Sequence, residues 1–340
     1  MKRLIAIISA AAALTLVTTG CSSHGASGSA SKVSIMVGGL DKQIYLPFML
    51  AQKLGYAKDQ GLTVTLSDEP AGVNAETAMV AGQVNGVGGF YDHNIDLQAK
   101  GKSTEAVVSM LQVPGEVELC RSDLKGKVKS PADWKGRSLG ITDKGSSTDF
   151  LTQYLAKKNG VSPTAIHEVG VQAGPTFIAA MDHKSIDCGM TTEPTVSNLL
   201  DAGKAYIIAD TRTAAGARAA FGSSYPATSL YMSTDYVNSH KPTVQKLVNV
   251  YVKTLKWIQT HSAAQITAKM PADYYSGVGK AKYVAALDGE KGMYNPTGMM
   301  PTDGPKACLA VLQANSDVKG KSIDLSKTFT NTFVQAAQKP

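Results

Sequence analysis

"RSLGITDKGSSTDFLTQYLAKKNGV", Arg137 to Val161, changes its period halfway. Ser138-Leu139-Gly140-Ile141 is a short apolar run of strand type, whereas Phe150, Leu151, Tyr154 and Leu155 recur at helical spacing. Between them stands Gly145, followed by Ser146, Ser147 and Thr148. One hydroxyl is enough to cap a helix, because an N-cap oxygen takes one or two of the free backbone N–H groups. Three adjacent hydroxyls at such a corner fit a second job, presenting the helix N-terminus to an anion. A strand running through a glycine turn into a helix is also the unit from which helix-covered parallel sheets are built.

The same alternation extends on both sides. "KVSIMVGG", "LTVTLS" and "VNGVGGF" read as strands, separated by helical patterns in "LPFMLAQKLGYAKDQGL" and "GVNAETAMVAGQ". "RSLGIT", "IHEVGV", "SIDCGM" and "AYIIAD" continue the series. The expected class is therefore α/β, with mainly parallel sheets flanked by helices. "PTVQKLVNVYVKTLKWIQTH" then places Val244, Leu247, Val248, Tyr251, Leu255 and Ile258 on one helical face, opening a helical C-terminal segment expected to pack on the first lobe.

"AGVNAETAMVAGQVNGVG" (Ala71 to Gly88) lies without gaps on "AGPTFIAAMDHKSIDCGM" (Ala173 to Met190). Ala71/Ala173, Gly72/Gly174, Ala78/Ala180 and Met79/Met181 are identical, and Val84/Ile186 and Asn85/Asp187 are similar. One helix-then-strand unit used once in each of two lobes accounts for this spacing.

The N-terminus, "MKRLIAIISAAAALTLVTTGCSS", has a basic start, an apolar run and small residues before Cys21, the layout of an export signal. Cys21 sits as in a bacterial lipobox, so lipidation there and a flexible tether from Ser22 to Lys32 are expected, although Thr18 replaces the usual aliphatic residue. The net charge is +7; removing Lys2 and Arg3 leaves 32 basic against 27 acidic residues, or +5. The basic residues are dispersed and give no nucleic-acid patch. Cys120, Cys188 and Cys308 are an odd set in apolar surroundings, and are expected to be buried free thiols.

Motifs for chemistry are scarce. None of the six histidines forms H-E-x-x-H, no G-x-S-x-G elbow occurs, and the two "GKS" triplets lack the upstream glycine of a phosphate loop. No cofactor or metal is expected. Asp92 and His93 are adjacent, but neighbours on a helix point about 100° apart, which discourages a shared proton. Polar, glycine-rich clusters instead gather where strands end: "GGLDKQIY", "SDEPAG", "GGFYDHN", "TDKGSST", "GVQAGPT" and "MTTEP". The carboxyl ends of parallel strands hold the ligand crevice of an α/β fold.

With these stretches in view, the chain resembles the nitrate/sulfonate/taurine group of ABC-importer substrate-binding proteins, the NMT1/THI5-like family, which also includes carriers of a thiamine-precursor pyrimidine. "DWKGRSLGITDKGSSTDFLTQYLAKKNGV", "VGVQAGPTFIAAMDHKSIDCGM" and "TEPTVSNLL" carry the likeness; Lys184 departs from the glycine common at its place. The resemblance implies a type II periplasmic-binding-protein-like fold. It divides the chain into a signal peptide (1–20), a lipidated tether (21–31), lobe 1 (32–122 plus 227–340) and lobe 2 (123–226). It implies a monomer without catalysis, held on the extracytoplasmic face by its lipid, that delivers a small anion or zwitterion to a membrane permease and its ATPase. The candidate ligand-binding residues are Gly39, Leu40, Asp68, Tyr91, His93, Ser146, Ser147, Thr148, Gln172 and Glu193. A heteroaromatic carrier is the alternative within the family. An exported hydrolase using His93 with Ser146, or an adhesive surface lipoprotein, are the alternatives outside it.

Overall fold

The computed structural model describes residues 31–314 and 317–338; the signal segment, Cys21 and the tether as far as residue 30 lie outside the described residues. Among the described residues ten strands form two five-stranded sheets. They are β1 (Ser31–Val37), β2 (Leu62–Asp68), β3 (Gly86–Phe90), β4 (Thr104–Ser109), β5 (Glu116–Arg121), β6 (Ser138–Ile141), β7 (His167–Gly170), β8 (Cys188–Thr192), β9 (Ala205–Asp210) and β10 (Thr228–Ser233). The first sheet has the order β2-β1-β3-β10-β4 and the second β7-β6-β8-β5-β9.

The two orders are the same pattern. In each sheet the first three strands are parallel, and the fourth runs antiparallel to both of its neighbours. That fourth strand is the exchanged one. After β4 the chain crosses through residues 110–115 to give β5 to the second sheet, and after β9 it returns through residues 211–227 to give β10 to the first. β5 therefore pairs in the second sheet, although it lies within the stretch 32–122 expected for the first lobe. The strands β4, β5 and β10 were not distinguished in the sequence, where they lie outside the repeating strand–turn–helix pattern.

The 102-residue repeat is physically the same construction twice. Asn85 Oδ1 accepts the backbone N–H of Ser34 on β1 at 2.9 Å, and Asp187 Oδ2 accepts that of Ser138 on β6 at 3.1 Å. Similar residues thus tie the turn before β3, and the turn before β8, to the strand next door. Gly82 and Lys184 occupy equivalent turns with φ of 75° and 57°, so the lysine adopts the left-handed backbone that glycine adopts in the first copy.

Two expectations need correction. "LPFMLAQKLGYAKDQGL" forms two helices, Leu46–Lys53 and Tyr56–Asp59, because the chain turns left-handed at Gly55 (φ 75°) between them. Cys120 and Cys188 are not free thiols: they face each other in register on β5 and β8 and form a disulfide, leaving Cys308 buried and free. The expectation failed because β5 was unseen, so nothing placed the two cysteines side by side.

The long helix Lys241–Thr260 buries all six residues of its expected face and packs on helix Leu46–Lys53 and on β2 and β4. Not all of the C-terminal segment stays on the first lobe. Helix Gly304–Leu312 touches both helix Asp92–Ala99 and helix Ser147–Lys158, one from each half. Among the described residues no helix is long and apolar enough to cross a membrane.

Candidate functional site

The strand ends of the two sheets face each other across a cleft. Its inner part is lined by Gly38, Lys42, Tyr45, Gly72 and His93 from the first half, and by Thr142, Ser146, Ser147, Thr148 and Thr191 from the second, with Glu116 at the crossover. Beyond Lys42 and Ala173 it opens into a wider outer part of about 420 Å³, bordered by Gly39, Asp41, Asp68, Gln172, Thr195, Asp273 and Tyr274. The inner part leaves about 20 Å³, room for a water-sized group.

The three hydroxyls at the Gly145 corner have three different fates. Gly145 itself turns with φ of 80°, and Ser146 is the N-cap of helix Ser147–Lys158, yet its side chain makes no capping bond. Ser146 Oγ is buried without a partner. Ser147 Oγ reaches across the cleft and donates to Asp92 Oδ1 at 2.8 Å. Thr148 Oγ1 turns back into its own half, accepting the N–H of Thr142 at 2.9 Å and pairing with its hydroxyl at 2.8 Å. The N–H groups of Ser147 and Thr148, which open the helix, have no acceptor among the described residues.

Opposite this corner lies Lys42, a residue that sequence reasoning passed over. Its ammonium donates to the carbonyls of Gly38 at 2.7 Å and Pro70 at 2.9 Å, which leaves one of three N–H donors for a guest. Burial pulls its pKa below the ordinary lysine value, against the opposing pull of Asp41 and Glu116. The signal for it lies in "GGLDKQIY", a lysine in the loop that follows β1.

His93 also lines the inner part, and its Nδ1 lies 2.7 Å from Glu76 Oε2. Burial alone would lower the imidazole pKa; the negative charge of Glu76 so close by outweighs it and raises it to about 9. Asp92 faces elsewhere and takes Tyr225 and Ser147 as donors, so the two adjacent residues do not share a proton. Ser146 Oγ makes no hydrogen bond to His93, and the nucleophile–base pair a hydrolase would need is not formed.

The other candidates are dispersed. Gly39, Asp68 and Gln172 border the outer part, where Asp68 Oδ1 accepts the N–H of Leu40 at 2.6 Å. Tyr91 is buried behind the cleft with its hydroxyl on Thr328. Glu193 is committed elsewhere: Oε1 pairs with Arg212 at 2.8 Å, and Oε2 accepts the N–H of Ser197 at 3.0 Å in the first turn of helix Thr195–Asp201. Among the described residues no group of histidine, cysteine and carboxylate side chains is arranged to hold a metal.

Two like-built sheets exchanging one strand each, with strand ends facing each other across a cleft, define the periplasmic-binding-protein fold. The chain belongs to the NMT1/THI5-like family, whose model matches residues 43–264. It is 34% identical to a solved structure from Bordetella bronchiseptica RB50, with 90% of this chain and 96% of that chain covered and a TM-score of 0.86. The fold is shared with the alkanesulfonate-binding protein SsuA from Xanthomonas axonopodis pv. citri bound to MOPS, at 18% identity, 88% and 98% coverage and a TM-score of 0.70. It is shared too with the periplasmic nitrate-binding protein NrtA from Synechocystis PCC 6803, at 12% identity, 90% and 88% coverage and a TM-score of 0.68. A comparison with curated protein sequences finds no significant match.

Proposed function

We propose that the protein is an exported, Cys21-lipidated binding protein that captures a small oxyanion or zwitterion of the sulfonate, taurine or nitrate class and hands it to an ABC import permease. The two halves, hinged at residues 110–115 and 211–227, would close over the guest.

One observation carries this reading: the start of helix Ser147–Lys158 is an unfilled donor set. Among the described residues Ser146 Oγ is buried and unpartnered, two backbone N–H groups beside it lack acceptors, and the Lys42 ammonium stands opposite. Aligned N–H groups at a helix start favour negative charge, and the low dielectric of a closed cleft strengthens each bond. The outer part bears Asp41, Asp68 and Asp273, which would repel a second anionic group and welcome a donor or cationic tail. The anionic head therefore belongs inside and the remainder of the guest outside. The inner space is smaller than a sulfonate head, so entry requires the halves to part and re-close.

Isothermal titration of ethanesulfonate, taurine, nitrate, acetate and an aminopyrimidine tests the reading. Ser146→Ala should weaken the binding of the preferred oxyanion at least tenfold, a loss of about 1.4 kcal/mol or more. It should leave the melting temperature of the free protein unchanged, since the hydroxyl it removes bonds nothing. Wild-type affinity in Ser146→Ala, or binding of the aminopyrimidine alone, would overturn the helix-end site.

A further inference from the structure

Glu116 is the one carboxyl group among the residues lining the inner part of the cleft. It is 5% exposed, and its Oε2 has no hydrogen-bond partner among the described residues. It begins β5, directly after the first crossover, and is paired in register with Thr192 on β8. Its backbone carbonyl accepts from both the N–H and the hydroxyl of Thr211 at the start of the second crossover, at 2.9 Å and 2.7 Å. The side chain is thus fixed at the point where both connections leave the cleft, beside unpartnered Ser146 and Thr191 hydroxyls.

An ionised carboxylate there would cancel the attraction of Lys42 for an anion. A protonated one adds a donor to the same set. We propose that Glu116 is a specificity-determining residue that binds the guest as a neutral carboxylic acid, donating its proton to a fully ionised oxyanion, so that capture above the pKa of the free site takes up one proton from solvent. This rests on the oxyanion reading above and narrows it: guests that bring a proton of their own to that position lose to guests that bring only lone pairs.

The surroundings support the neutral form. Burial pushes the Glu116 carboxyl up to about 8; Lys42 and His93 oppose the rise, while Asp92 and Glu118 add to it. These are the charged groups facing it: Lys42 from the loop after β1, Asp92 and His93 from helix Asp92–Ala99, and Glu118 two residues along its own strand. β8 contributes only Thr191 and Thr192, and helix Ser147–Lys158 only its N-terminus and hydroxyls. His93 is itself paired with Glu76, so it supplies little net charge to Glu116.

The test is titration of ethanesulfonate and nitrate into the protein between pH 6.5 and 9, repeated in two buffers of different ionisation enthalpy. Wild-type affinity should fall roughly tenfold over this range, with proton uptake appearing above pH 8. Glu116→Gln, which keeps shape and a donor but cannot ionise, should bind like wild type at pH 6.5. At pH 9 it should bind more tightly than wild type, losing no more than about twofold as His93 deprotonates. Loss of binding in a folded Glu116→Gln at every pH would mean the residue acts as a carboxylate, and would overturn the proposal. So would an equal pH dependence in both proteins. Failure of the wild type to bind either anion at any pH would instead remove the oxyanion reading itself, and this proposal with it.

Discussion

Ser147 Oγ donates to Asp92 Oδ1 at 2.8 Å, joining the helix that follows β6 to the helix that follows β3 across the cleft. Tyr225, on the returning crossover, donates to the other oxygen of the same carboxylate at 2.7 Å. Asp92 is fully buried; burial raises its pKa, and His93, Tyr225 and Ser147 hold the rise in check. The Ser147 hydroxyl, a candidate for holding the guest, is thus hydrogen-bonded within the protein.

Ser147→Ala leaves a buried carboxylate oxygen without its donor. It should lower the unfolding free energy by about 1–3 kcal/mol, read from urea denaturation of the free protein. The effect on oxyanion affinity should be smaller than that of Ser146→Ala, whose hydroxyl is idle in the free protein. The pair separates a residue that holds the halves together from one that holds the guest. An unchanged urea midpoint in Ser147→Ala would show that the contact contributes nothing to the closed form.

The strand–turn–helix units were legible because each is local: a short apolar run, a glycine and a helical period lie within some 25 residues of "RSLGITDKGSSTDFLTQYL". The repeat was legible because one unit serves twice, down to the Asn85 and Asp187 oxygens. The exchanged strands β5 and β10 were not, because their partners lie dozens of residues away and no local pattern marks them. With β5 went Glu116, the Cys120–Cys188 bridge and the true position of the first crossover. Residue type and place point to Ser146 and His93, and the fold sets both in the lining of the inner cleft. Lys42, in the inner part, carries no sequence pattern that marks it beyond its place in the loop after β1, and only the fold shows that Glu193 is paired with Arg212 and with the Ser197 N–H.

Lys184 pays a backbone cost that its counterpart Gly82 avoids, for a left-handed residue with a Cβ is disfavoured by roughly 1 kcal/mol. Its side chain returns little: the ion pair with Asp123 spans 3.2 Å between two exposed groups. Lys184→Gly should accordingly stabilise the protein by at most about 0.5 kcal/mol, after allowing for the freer unfolded chain that glycine brings. A loss of stability would mean that this ion pair outweighs the backbone.

The Cys120–Cys188 bridge joins neighbouring strands of the second sheet and spans 68 residues of sequence. Closing a loop of that length in the unfolded chain is worth up to about 4 kcal/mol in the chain-entropy model, with about 2–4 kcal/mol usual in practice. The double substitution Cys120→Ala/Cys188→Ala should lower the guanidinium midpoint by a corresponding amount while leaving oxyanion affinity within a factor of about two, because neither cysteine lines the cleft. A loss of binding without a loss of stability would place the bridge in the mechanism of closure instead.

Groups whose pKa is raised in the folded protein make stability fall as pH rises, and four of them bear on the neutral range. Burial raises Glu116 and Glu118 to about 8, burial and the nearby Asp149 raise Glu168 to about 7, and Glu76 raises His93 to about 9 despite burial. Each holds its proton more tightly folded than unfolded, where the carboxyls titrate near 4.5 and the imidazole near 6.5. The carboxyls' contribution is thus complete below about pH 4.5 and declines as pH rises towards 7–8; that of His93 is complete below 6.5 and lost through 9. The opposing carboxyls, Asp123, Asp133, Asp210 and Asp324, are held below the usual carboxylate range and act only under about pH 4; Lys42, whose pKa burial lowers, is the opposing group at the alkaline end. The melting temperature should therefore peak near pH 5 and decline steadily to pH 9. Glu118→Gln, which cannot ionise and lies beneath Thr152 rather than in the cleft, should flatten the decline between pH 5 and 8 without altering the guest. A melting temperature that rose across that interval would show that these acids are ionised in the folded protein, and the neutral Glu116 would lose its physical basis.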